Sequence, residues 1–577
     1  MPYRQRSFGW IQDAGEIRRL RSIAEIFVTD SPTHTQLVND LIPVLVSQEN
    51  GRDRFLFALT HEPIQIAYGD LKGKGPRNGE TRGNACCSGI AQAVLPSQNG
   101  RPYSSDWATE SFMRLAVSVG IIDYDNETDL CTIGARGMEL VETVPGSQEE
   151  KEVFEEALLA YPPACRVLNL LRENGQNPMS KYAIGQKLGF IGERGFSSYP
   201  ENLIAEALYS ADKKEKKRIK SNVEGTSDKY SRMICCWLKQ FGWVTSTRFN
   251  VHVPAYGGGL VSMTGYRITL RGVQALNNSL GQGRHPRIPK IVRFEMLATA
   301  ERNSFQFRLR RAHLIKCLSR GSLTMDQIEE ILTNQGCWAE RCVIEDDIKG
   351  LINIGLSIKK DNDRYRIDDD IVGLSIPNND EVIEDDQDDL VSSIKVALRT
   401  KLVRLDHKYL SLVDYAYDPN SSLLFELVTI DLFKELGFNS IHLGHSNKPD
   451  GILTVENHGV IIDNKSYSRG FSIPANQRRE MKDYIDQNIQ RNAIVNPTRW
   501  WERFPSTNTT FSYLFISSYF CGEFVASMNA LSTQTNINGA SISVENLLLL
   551  AEQIKSGVID NQQFIKHLTS NSEIVIR

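Results

Sequence analysis

The stretch Lys448–Tyr467, KPDGILTVENHGVIIDNKSY, decides how the rest of this 577-residue chain is read. Pro449-Asp450 precedes an apolar run, Val460-Ile461-Ile462, which leads straight into Asp463-Asn464-Lys465. The spacing allows a hairpin to return Asp463 beside Asp450, so two carboxylates and an ammonium can converge at the end of a short sheet. Oxygen ligands suit a hard divalent cation such as magnesium, which keeps several waters and is held by one or two carboxylates plus phosphate oxygen. The metal stabilises charge on the cleaved phosphate, and a nearby lysine can orient or deprotonate the attacking water. This is the layout of a metal-dependent phosphodiesterase site. Upstream, Leu423 to Leu436 reads as an apolar helix carrying Glu426, which packing on the hairpin could bring near the metal. The residues alone leave a second reading open. Pro-Asp-Gly is a common turn, and a carboxylate near Lys465 can be an ordinary surface ion pair worth little.

The length exceeds one ordinary core, and at ~150 residues per domain it suggests about three to five domains. No run of eighteen apolar residues exists, so no membrane partner is expected. The N-terminus, MPYRQRSFGWIQ, has charge but no apolar signal core, and the expected location is cytoplasmic. The ten cysteines form no CxxC pair and no Cys/His set with zinc-ligand spacing, so free thiols are expected. A net charge of −4 excludes a uniformly basic nucleic-acid coat. Its distribution is uneven: basic clusters lie at Lys213–Lys220, Arg284–Arg293 and Arg302–Arg311, and an acidic run at Asp380–Asp389. Segregation of this kind lets one part of a chain meet phosphates while another stays detached. Solvated helix faces and a loose linker are the plainer account of the same pattern.

One order of elements recurs three times. Thr109–Val119 reads as a helix, stopped by Gly120 and followed by a two-stranded hairpin through Ile122-Asp123-Tyr124 and Leu130–Ile133. Lys229–Phe241, Gly242 and the strands at Trp243-Val244 and Tyr266–Leu270 repeat it; Asp346–Ile354, Gly355, Leu356–Ile358 and Tyr365–Ile367 do so again. After the hairpin, Ala135-Arg136-Gly137 in the first unit is echoed by Leu270-Arg271-Gly272 in the second. Helix, glycine, β-wing is the outline of a winged helix-turn-helix, whose recognition helix can enter a major groove about 12 Å wide. Packing or protein binding is the other use of such modules, and the third copy, with fewer candidate base readers, is the one expected to contact protein. The reading therefore divides the chain into recognition domains at 1–150 and 151–285, a third winged-helix-like domain at 286–375, an acidic linker at 376–389 and a mixed α/β nuclease core at 390–577. Fully extended, roughly fourteen linker residues reach about 50 Å, or about fourteen base pairs. A nuclease on such a tether could act outside the sequence its readers hold.

Over nearly its full length the chain resembles the FokI-type IIS restriction endonucleases. The matching pieces are Phe8-Gly9-Trp10-Ile11-Gln12, Tyr161-Pro162-Pro163-Ala164, Glu224–Tyr230, Glu295–Thr299 and Asp347–Asn353 in the reader region, then Lys448–Gly451 and Asp463–Lys465. The resemblance implies a multidomain α+β fold: winged-helix-like DNA-recognition domains followed by a PD-(D/E)xK nuclease domain. It implies a bacterial enzyme that binds a short asymmetric site on double-stranded DNA and, with Mg2+, cuts both strands a fixed distance downstream, leaving 5′-phosphates. Asp450, Asp463 and Lys465 become the catalytic set. The two carboxylates and the Asn464 carbonyl would hold the metal, with Glu426 and Gln477 in support. The family pattern assigns base reading to Gln12, Arg82, Gln92 and Trp107, and to Asn222, Glu224, Lys229 and Arg232. Those side chains suit it, since Arg and Lys read guanine, Asn and Gln read adenine, and Glu accepts from cytosine. Departures at Asp13 and Val223, where the family pattern has Asn and Trp, put the last positions of the site in question.

The resemblance also implies a second copy as partner during cleavage, through a helix bearing an Asp and an Arg one turn apart. Here the matching residues are Arg479 and Asp483, in reversed order. A twofold interface keeps complementarity under that swap, so the chain is expected to pair with itself and poorly with a family member of the other order. An intrahelical i, i+4 pair is the plainer account. A cognate DNA methyltransferase is implied functionally. Two other functions stay open at this point: a winged-helix DNA-binding regulator with an inert nuclease-like domain, and a strand-specific nicking endonuclease.

Overall fold

A glycine-stopped helix followed by a hairpin needs a place where the helix end and the strand start can touch, and the first two reader units solve this in the same way. In the first, α1 (Asp106–Ser118) is capped by the Ser105 side chain and runs through Gly120, at φ +77°, into β1 (Ile122–Tyr124) and β2 (Leu130–Ile133). The helix that follows, α2 (Ala135–Glu142), carries Gly137, where an added Cβ would stand 2.2 Å from the Ile121 carbonyl oxygen. The second unit has α3 (Thr226–Gln240), β3 (Val244–Val253), β4 (Gly259–Ile268) and α4 (Leu270–Ser279), and a Cβ on Gly272 would stand 2.2 Å from the Trp243 carbonyl oxygen. The repeated Arg-Gly of the sequence is thus a backbone-to-backbone contact that only glycine permits. After α5 (Ser304–Leu318), the third unit consists of α6 (Arg341–Ile354), Gly355 at φ +110°, and the hairpin β5 (Ile358–Asp361) and β6 (Arg364–Ile367).

These elements belong to a computed structural model that describes residues 6–76, 81, 85–95, 100–210, 216, 219, 224–253, 259–282, 285–299, 304–377, 390–444 and 447–576. The chain forms two units, residues 1–190, 226–249 and 264–386 in one and residues 191–225, 250–263 and 387–577 in the other. Most of the expected linker, from residue 378 to 389, lies outside the described residues, as does most of the Lys213–Lys220 cluster.

The other two basic clusters correct the charge reading. Arg308 and Arg311 on α5 are 0% and 2% exposed, where phosphate-facing arginines would be open to water. Arg311 donates to the Leu297 carbonyl and to Asp347 on α6 at 2.7 Å, and Arg310 reaches the other Asp347 oxygen at 2.5 Å. In the Arg284–Arg293 cluster, Arg287 pairs with Asp369, Arg293 with Asp123 at 2.7 Å, and Lys290 is buried with its ammonium donating to the Leu159 carbonyl. Burying a cation costs several kcal/mol unless it is paired, so these residues are internal clasps. They tie residues 287–293 and 308–311 to partners far away in sequence.

In the region expected to carry the nuclease core, α7 (Ser422–Glu435) precedes β7 (Asn439–His442), β8 (Gly451–Val455) and β9 (His458–Lys465). Then come α8 (Ala475–Gln490), β10 (Thr510–Ser517), α9 (Phe524–Thr535), β11 (Gly539–Ser543), α10 (Val544–Lys555), α11 (Asn561–Leu568) and β12 (Ser572–Glu573). The sheet order is β7-β8-β9-β10-β11-β12, antiparallel through β9 and parallel beyond it. The central β9 is covered on both faces, which is why Val460, Ile461 and Ile462 form an unbroken apolar run, none more than 1% exposed. Ile461, Tyr513 and Phe515 pack with Met481, Tyr484 and Ile485 of α8 and with Met528 and Leu531 of α9. Glu456, at φ +55°, closes the two-residue turn between β8 and β9.

Burial pushes the Asp347 carboxyl up, but Arg310 and Arg311 outweigh it and hold the group below its ordinary range. Its contribution to stability is therefore present above the unfolded value of about 3.9 and lost as pH falls below that. Asp347→Asn is expected to cost the reader region about 3–5 kcal/mol at neutral pH, with the penalty shrinking toward pH 3; denaturant unfolding at several pH values checks both.

Candidate active site

Register arithmetic builds the site. Gly451 stands opposite Ile462, so Asp450, one step outward, meets the strand at Asp463, and the Asn464 amide donates to Asp450 Oδ2 at 2.6 Å. Asp463 and Lys465, two residues apart on β9, share a face, and Lys465 Nζ lies 2.9 Å from Asp463 Oδ1. Asn464 points to the other face, where its side-chain amide donates to Thr429 of α7 at 2.9 Å. Only its main-chain carbonyl is left as a possible ligand on the Asp463 side. The two carboxylates and the ammonium expected to converge do so.

The charge balance of this corner is unusual. Burial pushes the Asp450 carboxyl well above the ordinary range, and Glu426 and Asp463 push it further, against Lys465 and the Asn464 amide. Burial likewise raises Asp463, against the ammonium of Lys465. Burial disfavours the charge on Lys465, but Asp463 and Asp450 outweigh it, so the ammonium holds its proton above the ordinary lysine range. Asp463 Oδ2 is buried and has no hydrogen-bond donor. An orphan carboxylate oxygen among surplus negative charge fits a hard cation, which needs only one or two carboxylates and brings its own waters.

Glu426 lies on α7 and accepts from His442 at 2.9 Å. Gln477 lies on α8, one turn before Glu480, and its Oε1 is buried without a donor. Glu480 was not foreseen. It accepts from the Tyr484 hydroxyl at 3.0 Å and acts electrostatically on both Asp463 and Lys465. Its i, i+3 spacing from Gln477 and i, i+4 spacing to Tyr484 was the available signal. Arg479 and Asp483 are exposed on α8, and no ion pair joins them.

Among the candidate base readers, Arg82 and Asn222 lie outside the described residues, as does the departure at Val223. Arg232 is exposed on α3, with Lys229 and Glu224 half-buried nearby in sequence. Gln12 sits in a segment pinned along the same helix: Trp10 packs on Tyr230, Ala14 accepts from Trp237 at 2.6 Å and Gly15 from Gln240 at 2.7 Å. Trp107 is 41% exposed and is not core. Gln92 differs from these. It is 2% exposed and its Oε1 accepts from the Ser88 amide at 2.8 Å, which makes it a support for the loop at Gly73 and Ser88.

Comparison with known proteins covers almost the whole chain. Residues 6–143 match the FokI recognition domain, subdomain 1; residues 150–282, subdomain 2; residues 297–363, the FokI D3 domain; and residues 389–575, the FokI cleavage domain. The type II restriction enzyme FokI of Planomicrobium okeanokoites is 36% identical over 99% of both chains. The type II restriction enzyme StsI of Streptococcus sanguinis is 31% identical over 97% of this chain and 95% of its own. Solved structures of restriction endonuclease FokI, alone and bound to DNA, superpose with TM-scores of 0.88 and 0.89 at 35% and 34% identity, covering 99% of this chain. By fold and relatives the chain is a DNA-binding type II restriction endonuclease with recognition domains and a cleavage domain. It belongs to the FokI family of type IIS enzymes. Neither the regulator with an inert nuclease-like domain nor the nicking enzyme is favoured. The family implies a divalent metal, and no helix is long and apolar enough to cross a membrane among the described residues.

Because Asp450 is raised by burial and by its acidic neighbours, it favours folding most at low pH and loses that contribution as pH rises above the unfolded carboxylate value. Asp450→Asn is expected to stabilise the cation-free protein by about 1 kcal/mol at neutral pH, with the gain vanishing toward pH 4. Thermal unfolding in chelator across that range measures it.

Proposed function

We propose that Asp450, Asp463 and Lys465 form a PD-(D/E)xK centre that hydrolyses phosphodiester bonds of both DNA strands at a fixed distance from a short asymmetric site. The convergence of these three side chains at one buried sheet end supports this reading. Asp450, Asp463 and the Asn464 carbonyl would hold the Mg2+. Bound there, the cation would neutralise charge developing on the scissile phosphate. Lys465, whose ammonium lies 2.9 Å from Asp463, is placed to orient the attacking water and steady the phosphate. In the in-line step a water oxygen bonds to phosphorus as the bond to the 3′ oxygen breaks, leaving a 5′-phosphate and a 3′-hydroxyl. Glu426 and Gln477 support the centre.

Reading is assigned to winged-helix-like modules, with Arg232 and Lys229 on α3 beside Gln12, and with Trp107, Glu224, Arg82 and Asn222; Gln92 acts indirectly, through the loop it holds. On supercoiled plasmid with magnesium the expected product is linear DNA with ends at one offset. Asp450→Ala is expected to bind the same site at parental affinity and to cut at least about 1,000-fold more slowly; gel shift and cleavage assays separate the two, and a variant that still cuts would sink the assignment.

Cutting of both strands is assigned to a pair of chains meeting through α8. Arg479 and Asp483 are exposed and not joined to each other, and Ile489 and Ile494 near the helix end are 58% and 92% exposed. The expected bacterial setting includes a cognate methyltransferase. Arg479→Asp alone sets like charges across the twofold and is expected to slow linearisation about tenfold or more. Adding Asp483→Arg is expected to restore it, and a parental chain mixed with the double variant is expected to pair poorly. Linearisation rates of each mixture read this directly.

A further inference from the structure

Beyond the carboxylates and the lysine, the nuclease sheet holds an imidazole that the reaction as described does not use. His442 ends the edge strand β7, opposite Gly451, and is 6% exposed. Its Nε2 lies 2.9 Å from Glu426 Oε2. Facing a carboxylate oxygen, that nitrogen carries the proton and donates. The turn beyond it closes over the ring. Gly444, at φ +44°, comes so near that an added Cβ would stand 2.6 Å from His442 Cε1. The same turn is tied to the centre, because the Leu443 and Gly444 amides both donate to the Asp450 carbonyl, at 2.9 and 3.4 Å. One short segment therefore fixes the Asp450 backbone and boxes in the ring that grips Glu426.

We propose that His442 is a positioning residue for strand cleavage, holding the Glu426 carboxylate on the Asp450 side of the centre. This rests on the reading of Asp450, Asp463 and Lys465 as the nuclease site. A glutamate on a helix has three torsions and, left alone, spends its time in solvent-directed rotamers. A hydrogen bond from a caged ring removes that freedom, as the partners behind metal-binding carboxylates do. Glu426 is the leading charged neighbour acting on Asp450. Its placement sets how strongly that corner attracts a cation.

The test uses the full-length protein with DNA bound beforehand, measuring single-turnover cutting against magnesium concentration, DNA affinity, and the unfolding midpoint. His442→Leu is expected to cut about 10–100-fold more slowly, to need more magnesium for half its maximal rate, and to bind DNA as the parent does. His442→Gln, whose amide N–H reaches the same oxygen, is expected to recover to within about threefold of the parent. Glu426→Gln is expected to match His442→Leu, and the double variant to be no slower than either single one. Parental cutting by His442→Leu overturns the inference, as do multiplying defects in the double variant or a loss that lies in DNA affinity. Should His442→Leu not fold, Glu426→Gln decides, and parental cutting by it also overturns the inference. Asp450→Ala is run alongside: if it cuts, the nuclease reading has failed, whereas an inactive Asp450→Ala beside a fully active His442→Leu removes only the role of the histidine.

Discussion

Two carboxyl groups and one ammonium are held out of water at the end of a sheet, and much of the nuclease region can be understood as the means of keeping them there. Burial at this corner is unfavourable to the charge on every one of the three groups. It is sustained by a strand covered on both faces, whose apolar run supplies the packing that the polar end lacks. The cost is local: Asp463 Oδ2 is buried with no hydrogen-bond partner, which is unfavourable in the free protein. The helix α8 adds a second constraint. Its inner face, Met481, Tyr484 and Ile485, is part of the core beside the site, while its outer face carries Arg479 and Asp483. One helix therefore borders both the carboxylate corner and the exposed face.

On the reader side, arginine is used as a structural residue. Asp347 receives two guanidinium groups, and Arg308 and Arg311 spend further donors on main-chain carbonyls. Fixed, forked donors suit this work better than lysine would. The consequence is that the helix–hairpin units are joined through polar contacts with defined geometry. Arg232, the exposed residue on α3 proposed above as a base reader, belongs to one of these helix–hairpin units.

How much of this was legible in the sequence follows from how local each signal is. The pairing of Asp450 with Asp463 is a matter of counting by twos across a tight turn, and the helix around Glu426 shows in its apolar composition, so both could be read from short windows. The three glycine-stopped helices were equally local. The basic clusters were misread because formal charge says nothing of partners such as Asp123, Asp347 and Asp369, which lie 36 to 170 positions away. His442 and Glu480 escaped notice for the same reason: each matters through a neighbour supplied by another element. Gln92 looked like a base reader and is buried, since a glutamine's surroundings are set by a loop fifteen or more residues distant, at Gly73.

The parallel pairing of β9 with β10 also sets the order in which this corner is completed as the chain is made. Lys465 stands opposite Ser517, so the wall that shields the carboxylate corner is translated about fifty residues after the corner itself. At ~5–20 residues per second the growing chain spends several seconds with its acidic hairpin synthesised but unwalled, and the strands at Gly539–Ser543 and Ser572–Glu573 come later still. Until β10 docks, one edge of β9 is unpaired, although α7 and β8, which flank it elsewhere, are already made. Strand order thus makes the dry setting of this corner one of the later events in the synthesis of the chain.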